Sequence, residues 1–239
     1  EEGSSFSDSL EQARRLGYAE ADASSDLSGK DALYKISILA GLAFGGWLKP
    51  EGLPCRGIEG IQPDDLAAAR RAGFALKLLG SARRSSGLTV EARVEPALVP
   101  LAQPLAGVRG PLNAVCILAD PVGALQLYGP GAGGGPTASA VVADLAAILA
   151  RRALGGRAPA PPPSGTLRRA RLSGDSSPYF LRALVHDRPG VLSAVSGSLG
   201  RRGISIATAY QDGLPRGKAV PLVLMTHACP EASLRRAAA

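Results

Sequence analysis

The chain has 239 residues, 46% of them hydrophobic, so it can bury a core and form one or two domains. No uncharged apolar run reaches the roughly 20 residues that cross a bilayer, and the first residues, EEGSSF, are not signal-like. We therefore expect a cytoplasmic protein without membrane contact. The three cysteines are widely spaced and the histidines number two, so neither a disulfide framework nor a metal site is predicted.

The net charge of +7 is distributed unevenly along the chain. Residues 1–150 contain 13 Lys+Arg against 16 Asp+Glu, and residues 151–239 contain 14 against 4. A basic segment can bind nucleic acid, but these arginines are scattered and aromatic residues for base stacking make up only 4% of the chain. We therefore do not expect nucleic-acid binding.

The first functional pattern lies in DLSGKDALYKISILAGLAFGGWL, which begins at Asp26 and reads as a buried helix, apolar on every side past Lys35. Ser28 fits the N-cap position, and Asp31 would lie in the first turn, where an acid stabilises the helix dipole. Lys35 follows Asp31 by four residues, so the two side chains are neighbours. A solvated ion pair is the simple interpretation.

A functional interpretation of the same pair comes from the apolar stripe that continues it. Ile38, Leu39 and Leu42 extend the helix face of the pair, which predicts that the pair points toward the interior or a cleft. Partial burial lowers the pKa of a lysine toward the range useful for proton transfer, whereas a nearby carboxylate raises it and holds the ammonium in place. The pair is therefore a candidate acid/base.

A glycine-rich turn follows in YGPGAGGGPTASAVVADL, between a predicted strand and a predicted helix. Gly129, Gly131 and Gly134 satisfy G-x-G-x-x-G, which is typical of dinucleotide binding. However, that fingerprint should lead through a helix into a second strand ending in an acidic residue, and here the helix leads into a Pro-rich segment. The motif is therefore not predicted to be a nucleotide fingerprint.

A composition break divides the chain into three parts. Residues 154–177 are rich in Pro, Gly, Ser and Arg without periodicity, so we predict a linker there. Residues 1–153 mix helices and strands, which predicts an α+β domain with a mixed β-sheet and covering helices. Its hydrophobic strands exceed what one helical layer covers, so an apolar sheet face should drive dimerisation.

Residues 178–239 are predicted to form a second domain of strand, helix, strand, strand and helix. Asp187 would be the N-cap of the first helix, with Pro189 at its first position and Gly203 ending it. That helix is amphipathic through Val191, Val195 and Leu199.

The segment LGYAEADASSDLSGKDALYK resembles the substrate-binding signature of homoserine dehydrogenases. In that signature Gly-Tyr-x-Glu is followed by an acidic loop and by Asp-x-x-x-Lys on a helix. The similarity continues through GIEGI, GFALKLLGSA, LVPLAQPLAGVRGPLNAV and the glycine-rich turn, so it covers nearly all of residues 4–150. The resemblance implies interconversion of aspartate semialdehyde and homoserine by hydride exchange with NAD or NADP.

The resemblance also implies roles for individual residues. Lys35 matches the family's catalytic lysine, and Asp31 matches the aspartate that contacts substrate and holds this lysine. Glu20 matches the glutamate that receives the substrate ammonium group, with Tyr18 beside it in the motif and Asp26 as a further acidic position. The glycines Gly17, Gly131 and Gly133 would line the nicotinamide end of the cofactor. Without the resemblance, the acidic residues can be read as a solvated loop. The glycines can likewise be read as a tight turn at the start of a helix.

The order of elements and the DRPGVL turn of residues 178–239 resemble an ACT domain, a ferredoxin-like βαββα module that binds small amino acids. Gly190 and Gln211 lie where such modules contact ligand, although a helix-start glycine and an exposed glutamine are alternatives. Threonine is the effector that the resemblance implies. The final strand of the module is expected beyond Ala239, so we expect a truncated ACT domain.

Two functions remain in view. One is a fragment of homoserine dehydrogenase, of the threonine and methionine biosynthetic route, whose nucleotide-binding Rossmann domain would precede Glu1, with a homodimer or homotetramer as the assembly. The other is a non-catalytic amino-acid-binding regulatory protein that keeps the substrate pocket and the ACT module. Preference for NAD or NADP would be decided in the nucleotide-binding domain.

Overall fold

The computed structural model describes residues 6–18, 22–153, 155, 165–170, 176–211 and 219–238. The chain forms two compact units, Glu1–Arg169 and Ala170–Ala239. The helices of the first unit are α1 (Phe6–Arg15), α2 (Ser24–Leu27), α3 (Lys30–Phe44), α4 (Pro63–Arg71) and α5 (Gly134–Ala153). Its strands are β1 (Phe74–Ser86), β2 (Thr89–Pro100), β3 (Leu112–Ala119), β4 (Gly123–Pro130) and β5 (Arg168–Arg169).

The main sheet of the first unit has the strand order β1-β2-β5. The β1 and β2 strands form a long antiparallel hairpin, in register from Phe74 opposite Pro100, and β5 adds to β2 in parallel. One face of β2 carries Val90, Ala92 and Val94, which are 0–2% exposed and pack in one cluster with α3. Burying each such valine stabilises the fold by about 1.5–3 kcal/mol. The predicted mixed sheet with covering helices is confirmed.

The helix α3 packs against this sheet along one side only. Leu33, Ser37 and Ala40 are its buried residues, and the Ser37 hydroxyl donates a hydrogen bond to the Leu33 carbonyl at 2.8 Å. On the opposite side Ile38 is 55% and Leu42 is 71% exposed. The prediction of a helix buried on every side, with the Asp31 stripe pointing inward, is therefore wrong for this chain, because the sheet covers the other face.

The start of α3 also differs from the prediction that Ser28 is its N-cap. The N-cap residue is Gly29, with φ of 80°, and no side chain caps the helix. Ser28 instead ends the short helix α2, which the sequence reading did not separate from α3. A glycine is needed between the two helices because the chain reverses there through the left-handed region.

The strands β3 and β4 form a separate antiparallel hairpin with apolar side chains on its surface. Val115 lies opposite Leu127 and Ile117 opposite Leu125, and all four side chains are exposed. The following helix α5 has no buried residue. Within the described part of the first unit, this hairpin and α5 therefore leave apolar surface open, as the outer side of α3 also does.

Part of the segment predicted as a linker is ordered within the first unit. Residues 165–169 include β5, and Leu167 is 4% exposed in the core cluster of α3 and β2. Strands β2 and β5 pair from Thr89 opposite Arg168. The buried Leu167 attaches this part of the predicted linker to the sheet, which the Pro/Gly content gave no reason to expect.

The second unit consists of β6 (Ser176–Ser177), β7 (Phe180–His186), α6 (Val191–Gly200), β8 (Ile206–Gln211), β9 (Ala219–Thr226), β10 (Cys229–Pro230) and α7 (Glu231–Ala238). The antiparallel sheet has the order β7-β9-β8, and the two short strands pair with each other. Its core contains Leu199, Leu222 and Leu224. The predicted order of strand, helix, strand, strand and helix is confirmed.

The helix α6 begins later than predicted. Its N-cap is Gly190, with φ of 89°, so Asp187 is not the N-cap and Pro189 is not the first helical residue. The Asp187 carboxylate is committed elsewhere, because it accepts a hydrogen bond from the Gln211 amide at 3.1 Å. Gly203 (φ 71°) lies in the turn that ends the helix, as expected.

Candidate functional site

The first group of candidate site residues is the ion pair at the start of α3. The Lys35 Nζ lies 2.6 Å from Asp31 Oδ2, and the two side chains are 62% and 40% exposed. The spacing of four residues on one helix brings the two groups together, as the sequence predicts. An exposed pair of this kind stabilises a protein by only about 0–1 kcal/mol, so stability gives little reason for its presence.

The backbone around Gly29 and Gly57 fixes the position of this helix start. A Cβ on Gly29 would lie 3.2 Å from Val94 Cγ1 and 3.3 Å from Cys55 Sγ, so a side chain would separate α3 from β2. A Cβ on Gly57 would lie 1.9 Å from the Leu27 carbonyl oxygen, which is too close for any side chain. The loop that contains Gly57 is therefore locked under the junction of α2 and α3.

Backbone hydrogen bonds complete this support. The Ile58 amide donates to the Leu27 carbonyl at 2.8 Å, and the Arg56 amide donates to the Val94 carbonyl at 2.8 Å. The first bond holds the loop to α2, and the second holds it to the sheet. The ion pair is thus carried on a helix whose first turn is attached to rigid elements, as positioning of a catalytic group requires.

The acidic loop before α3 is described only in part. Asp22 accepts a hydrogen bond from the Ser24 amide at 2.9 Å, and this bond holds the pKa of the Asp22 carboxyl below its ordinary value. Asp26 lies in α2 with an exposed side chain. Glu20, the predicted ammonium partner, lies outside the described residues, so its position relative to Asp31 and Lys35 stays a prediction.

The predicted cofactor-binding glycines lie at two turns that meet near Tyr18. Gly17 and Gly133 have positive φ values of 73° and 108°, and a Cβ on Gly133 would lie 4.0 Å from Tyr18 Cε1. Gly131 is required for another reason, since a Cβ there would lie 1.4 Å from Asn113 Nδ2 on β3. The structure therefore brings Gly17, Tyr18 and Gly133 together, at the amino-terminal end of α5.

The volume of a surface cavity does not identify the site here. A cavity of about 490 Å³ opens beside the start of α3 and is lined by the loop 50–59 together with Lys30, Leu33 and Tyr34. Neither Asp31 nor Lys35 lines it. Because Asp31 and Lys35 are the residues that the sequence pattern predicts for proton transfer, we take the pair as the candidate active site.

Two further observations concern metal-binding groups and membrane-spanning helices. Among the described residues there is no group of three or more His, Cys, Asp or Glu side chains that could hold a metal ion. None of the described helices has the length and apolar character needed to span a bilayer.

The candidate effector residues of the second unit lie at the same end of its sheet. Gln211 ends β8, and its amide donates to Asp187, which follows β7. Gly190 is the N-cap of α6 and follows Asp187 by three residues. The Ala194 amide donates a hydrogen bond to the Gly190 carbonyl at 2.9 Å. The turn 187–190 and the end of β8 are therefore close enough to contribute to one site.

Comparison with known proteins identifies the family of the chain. The family model of homoserine dehydrogenase matches residues 1–146, which is more than half of the chain. The chain belongs to the homoserine dehydrogenase family. The ACT domain model matches residues 179–239, so the second unit of this family member is an ACT domain.

Individual homoserine dehydrogenases align with the chain over nearly its whole length. The enzyme of Mycobacterium leprae is 40% identical over 240 residues, covering 97% of this chain and 54% of the relative. That of Synechocystis sp. is 39% identical over 245 residues, covering 99% and 56%. The crystal structure of a homoserine dehydrogenase from Thiobacillus denitrificans gives a TM-score of 0.83 at 36% identity, covering 99% and 55%. The chain thus spans about half the length of these relatives.

Sequence reasoning missed the residues that support the site. Gly57 belongs to the motif GIEGI, but nothing in that motif indicates that Gly57 supports the start of α3. Gly80 in β1 is similar, since a Cβ there would lie 3.1 Å from Ile36 Cβ of α3. A glycine inside a strand is a recognisable signal of close approach, but the approaching partner is visible only in the fold.

Proposed function

We propose that this protein is the substrate-binding and regulatory part of an enzyme that interconverts L-aspartate 4-semialdehyde and L-homoserine, with NAD or NADP as the hydride carrier. The observation that carries the proposal is the Asp31–Lys35 pair, 2.6 Å apart on a helix start that is locked to the sheet. The membership of the family supports the choice of substrates.

In this proposal Lys35 is the acid/base. Oxidation of an alcohol carbon requires removal of the hydroxyl proton, and the reverse reaction returns it. The Nζ of Lys35 would accept and donate this proton, and Asp31 would hold the amine in position. Because Lys35 is 62% exposed in this chain, its proton can exchange with solvent between turnovers unless another segment covers it.

The acidic residues before α3 are proposed to bind the substrate. Glu20 would accept hydrogen bonds from the substrate ammonium group, for which a carboxylate is the natural complement. Asp26 and Tyr18 would contribute to the same pocket, with Asp31 contacting the substrate from the helix start. The exposed carboxylate of Asp26 is available for such a contact.

The cofactor would approach the turn formed by Gly17, Gly131 and Gly133. The residues fit such a group, because at Gly17 and Gly133 the backbone is left-handed and has no side chain to obstruct an approaching ring. A bound nicotinamide accepts or returns the hydride. We propose that a Rossmann domain outside this chain binds most of the cofactor, and that the protein works in the cytoplasm.

An assay on the protein with its complete coding sequence tests the proposal. The expected result is homoserine-dependent reduction of NAD or NADP, and the ratio of the two rates gives the cofactor preference. The alternative is an amino-acid-binding regulatory protein without turnover, which the ACT domain match of residues 179–239 favours. Threonine binding without any homoserine-dependent reduction would establish this alternative.

We further propose that the ACT domain binds threonine at Gly190 and Gln211. Replacing Gly190 by aspartate should weaken threonine binding at least about tenfold, or about 1.4 kcal/mol, because the new carboxylate would repel the ligand's carboxylate. Isothermal titration calorimetry on the full-length protein measures this change.

The matched control for that experiment is Gly203→Asp. Gly203 and Gly190 both have positive φ values, 71° and 89°, and a Cβ at either position meets nothing within 4 Å. The backbone strain is therefore comparable, but Gly203 lies at the other end of α6. Unchanged affinity in Gly190→Asp, or an equal loss in both variants, would count against the assignment.

The assembly is proposed to be a homodimer or homotetramer that uses the apolar surface of β3, β4 and α5. Exposed apolar faces of this size are uncommon on monomeric proteins. Ile117→Asp should convert the assembly to monomers, because a charge would be buried at the centre of the interface. Sedimentation equilibrium measures the mass, and Leu66→Asp on α4 is the control, since Leu66 is 45% and Ile117 is 43% exposed. A wild-type mass for Ile117→Asp would refute this interface.

A further inference from the structure

We propose that residues 165–169 act as a relay strand through which the ACT domain acts on the catalytic helix α3. The inference rests on the proposed function, and it assigns to this segment the route of regulation. The observations that carry it are three attachments of the strand to the catalytic unit, all close to α3 or to the loop that follows it.

The first attachment is a pair of backbone hydrogen bonds at the carboxyl end of α3. The Trp47 amide donates to the Gly165 carbonyl at 2.6 Å, and the Leu167 amide donates to the Trp47 carbonyl at 2.9 Å. The approach is close, since a Cβ on Gly46 would lie 2.9 Å from the Gly165 oxygen. Gly165 and Leu167 of the relay strand are therefore both hydrogen-bonded to Trp47, directly after α3.

The second attachment is the side chain of Leu167. It is 4% exposed and belongs to the same core cluster as Leu33, Ala40 and Leu48. Leu33 and Ala40 are on the inner face of α3, and Leu33 lies in the turn between Asp31 and Lys35. A shift of Leu167 therefore reaches the inner face of α3 through this shared cluster, because close-packed cores transmit displacements.

The third attachment is at the carboxyl end of the strand. The Arg169 guanidinium donates a hydrogen bond to the Gly52 carbonyl, in the loop between α3 and α4. Arg169 is also the last residue of the first unit, and Ala170 begins the second. Along the chain, Arg169 is therefore the residue of the relay strand nearest to the ACT domain, whose family match begins at residue 179.

The strand is also short enough to be displaced. Its ladder with β2 consists of two residue pairs, Thr89 with Arg168 and Val90 with Arg169. Short ladders open locally at a small fraction of the cost of global unfolding. In this proposal the strand exchanges between an attached and a released state, and an effector that favours one of them changes the position of α3.

The test measures coupling in the full-length protein with threonine as the probe. Three quantities are compared: homoserine oxidation without threonine, threonine affinity by calorimetry, and the threonine concentration that halves the rate. The variants are Leu167→Ala and Arg169→Ala, and the control is Arg168→Ala, whose exposed side chain lies on the same strand. Arg169→Ala keeps the test valid if Leu167→Ala does not fold.

The expected result is that Arg169→Ala keeps its basal rate and binds threonine within about twofold of wild type. The threonine concentration that halves its rate should rise at least about tenfold. By reciprocity, saturating homoserine should change threonine affinity in the wild type and in Arg168→Ala, and not in Arg169→Ala. A purely structural role would instead lower basal rate and stability while leaving this coupling in place.

Three results would overturn the relay. The first is wild-type inhibition in both Leu167→Ala and Arg169→Ala, and the second is an equal loss in Arg168→Ala. The third is a wild-type enzyme that threonine does not inhibit. In each case homoserine oxidation measured without threonine still decides the proposed catalytic function independently.

Discussion

Replacing Lys35 by alanine should lower the turnover number for homoserine oxidation by roughly a hundredfold or more, the usual scale for losing a positioned acid/base. The Michaelis constant for homoserine should change much less, because the substrate ammonium group is proposed to bind Glu20 and not Lys35. Steady-state kinetics on the full-length enzyme measure both quantities.

Two companion variants separate proton transfer from charge. Lys35→Arg keeps the positive charge beside Asp31, but a guanidinium does not give up its proton, so turnover should stay low. Lys49→Ala removes an exposed lysine just beyond the end of α3 and should leave turnover unchanged. Wild-type turnover in Lys35→Ala would reduce the pair to a surface salt bridge.

The partner residues have different expected signatures in the same assay. Asp31→Ala should lower turnover, because Lys35 would lose the group that positions it. If Asp31 were only a first-turn acid, its loss should cost about 0.3–1 kcal/mol of stability and leave the kinetics nearly unchanged. Glu20→Ala should mainly raise the Michaelis constant, since an ammonium contact is made similarly in the ground and transition states.

Replacing Gly57 by alanine should destabilise the catalytic unit by about 3 kcal/mol, at the upper end of the cost of overpacking. The added methyl group would lie 1.9 Å from the Leu27 carbonyl oxygen, and backbone atoms cannot rotate away as a side chain can. The junction of α2 and α3 must therefore move, and turnover should fall together with the melting temperature.

The same motif contains the control for this variant. Gly60 is three residues further along GIEGI, its φ is not positive, and a Cβ there would meet nothing within 4 Å. Gly60→Ala should therefore keep the melting temperature and kinetics of the wild type. If Gly57→Ala unfolded at the same temperature as Gly60→Ala, as monitored by circular dichroism, the loop at Gly57 would not fix the junction of α2 and α3.

Much of the fold was predictable because local patterns and tertiary packing agree. The ACT unit is the clearest example, since its alternating strands and the amphipathic helix through Val191, Val195 and Leu199 have one consistent arrangement. The glycine-rich turn was likewise correctly placed between β4 and α5.

Helix starts were predicted less well, because several polar residues compete for the cap position. Ser28 and Asp187 are both good N-cap residues, yet glycines at positions 29 and 190 precede the helices α3 and α6. The deciding factor is the direction from which the chain enters the helix. That direction depends on α2 in one case and on the Asp187–Gln211 contact in the other.

The sequence by itself determined which chemistry the chain carries: an aspartate and a lysine four residues apart on a helix must be neighbours, whatever surrounds them. Only the tertiary structure decided which way they face. Because β2 packs on Leu33 and Ala40, the Asp31–Lys35 side of α3 is left exposed, contrary to the inward orientation expected from its apolar stripe. The same packing recruits Leu167, since a buried contact between residues far apart in sequence has no local pattern to predict it.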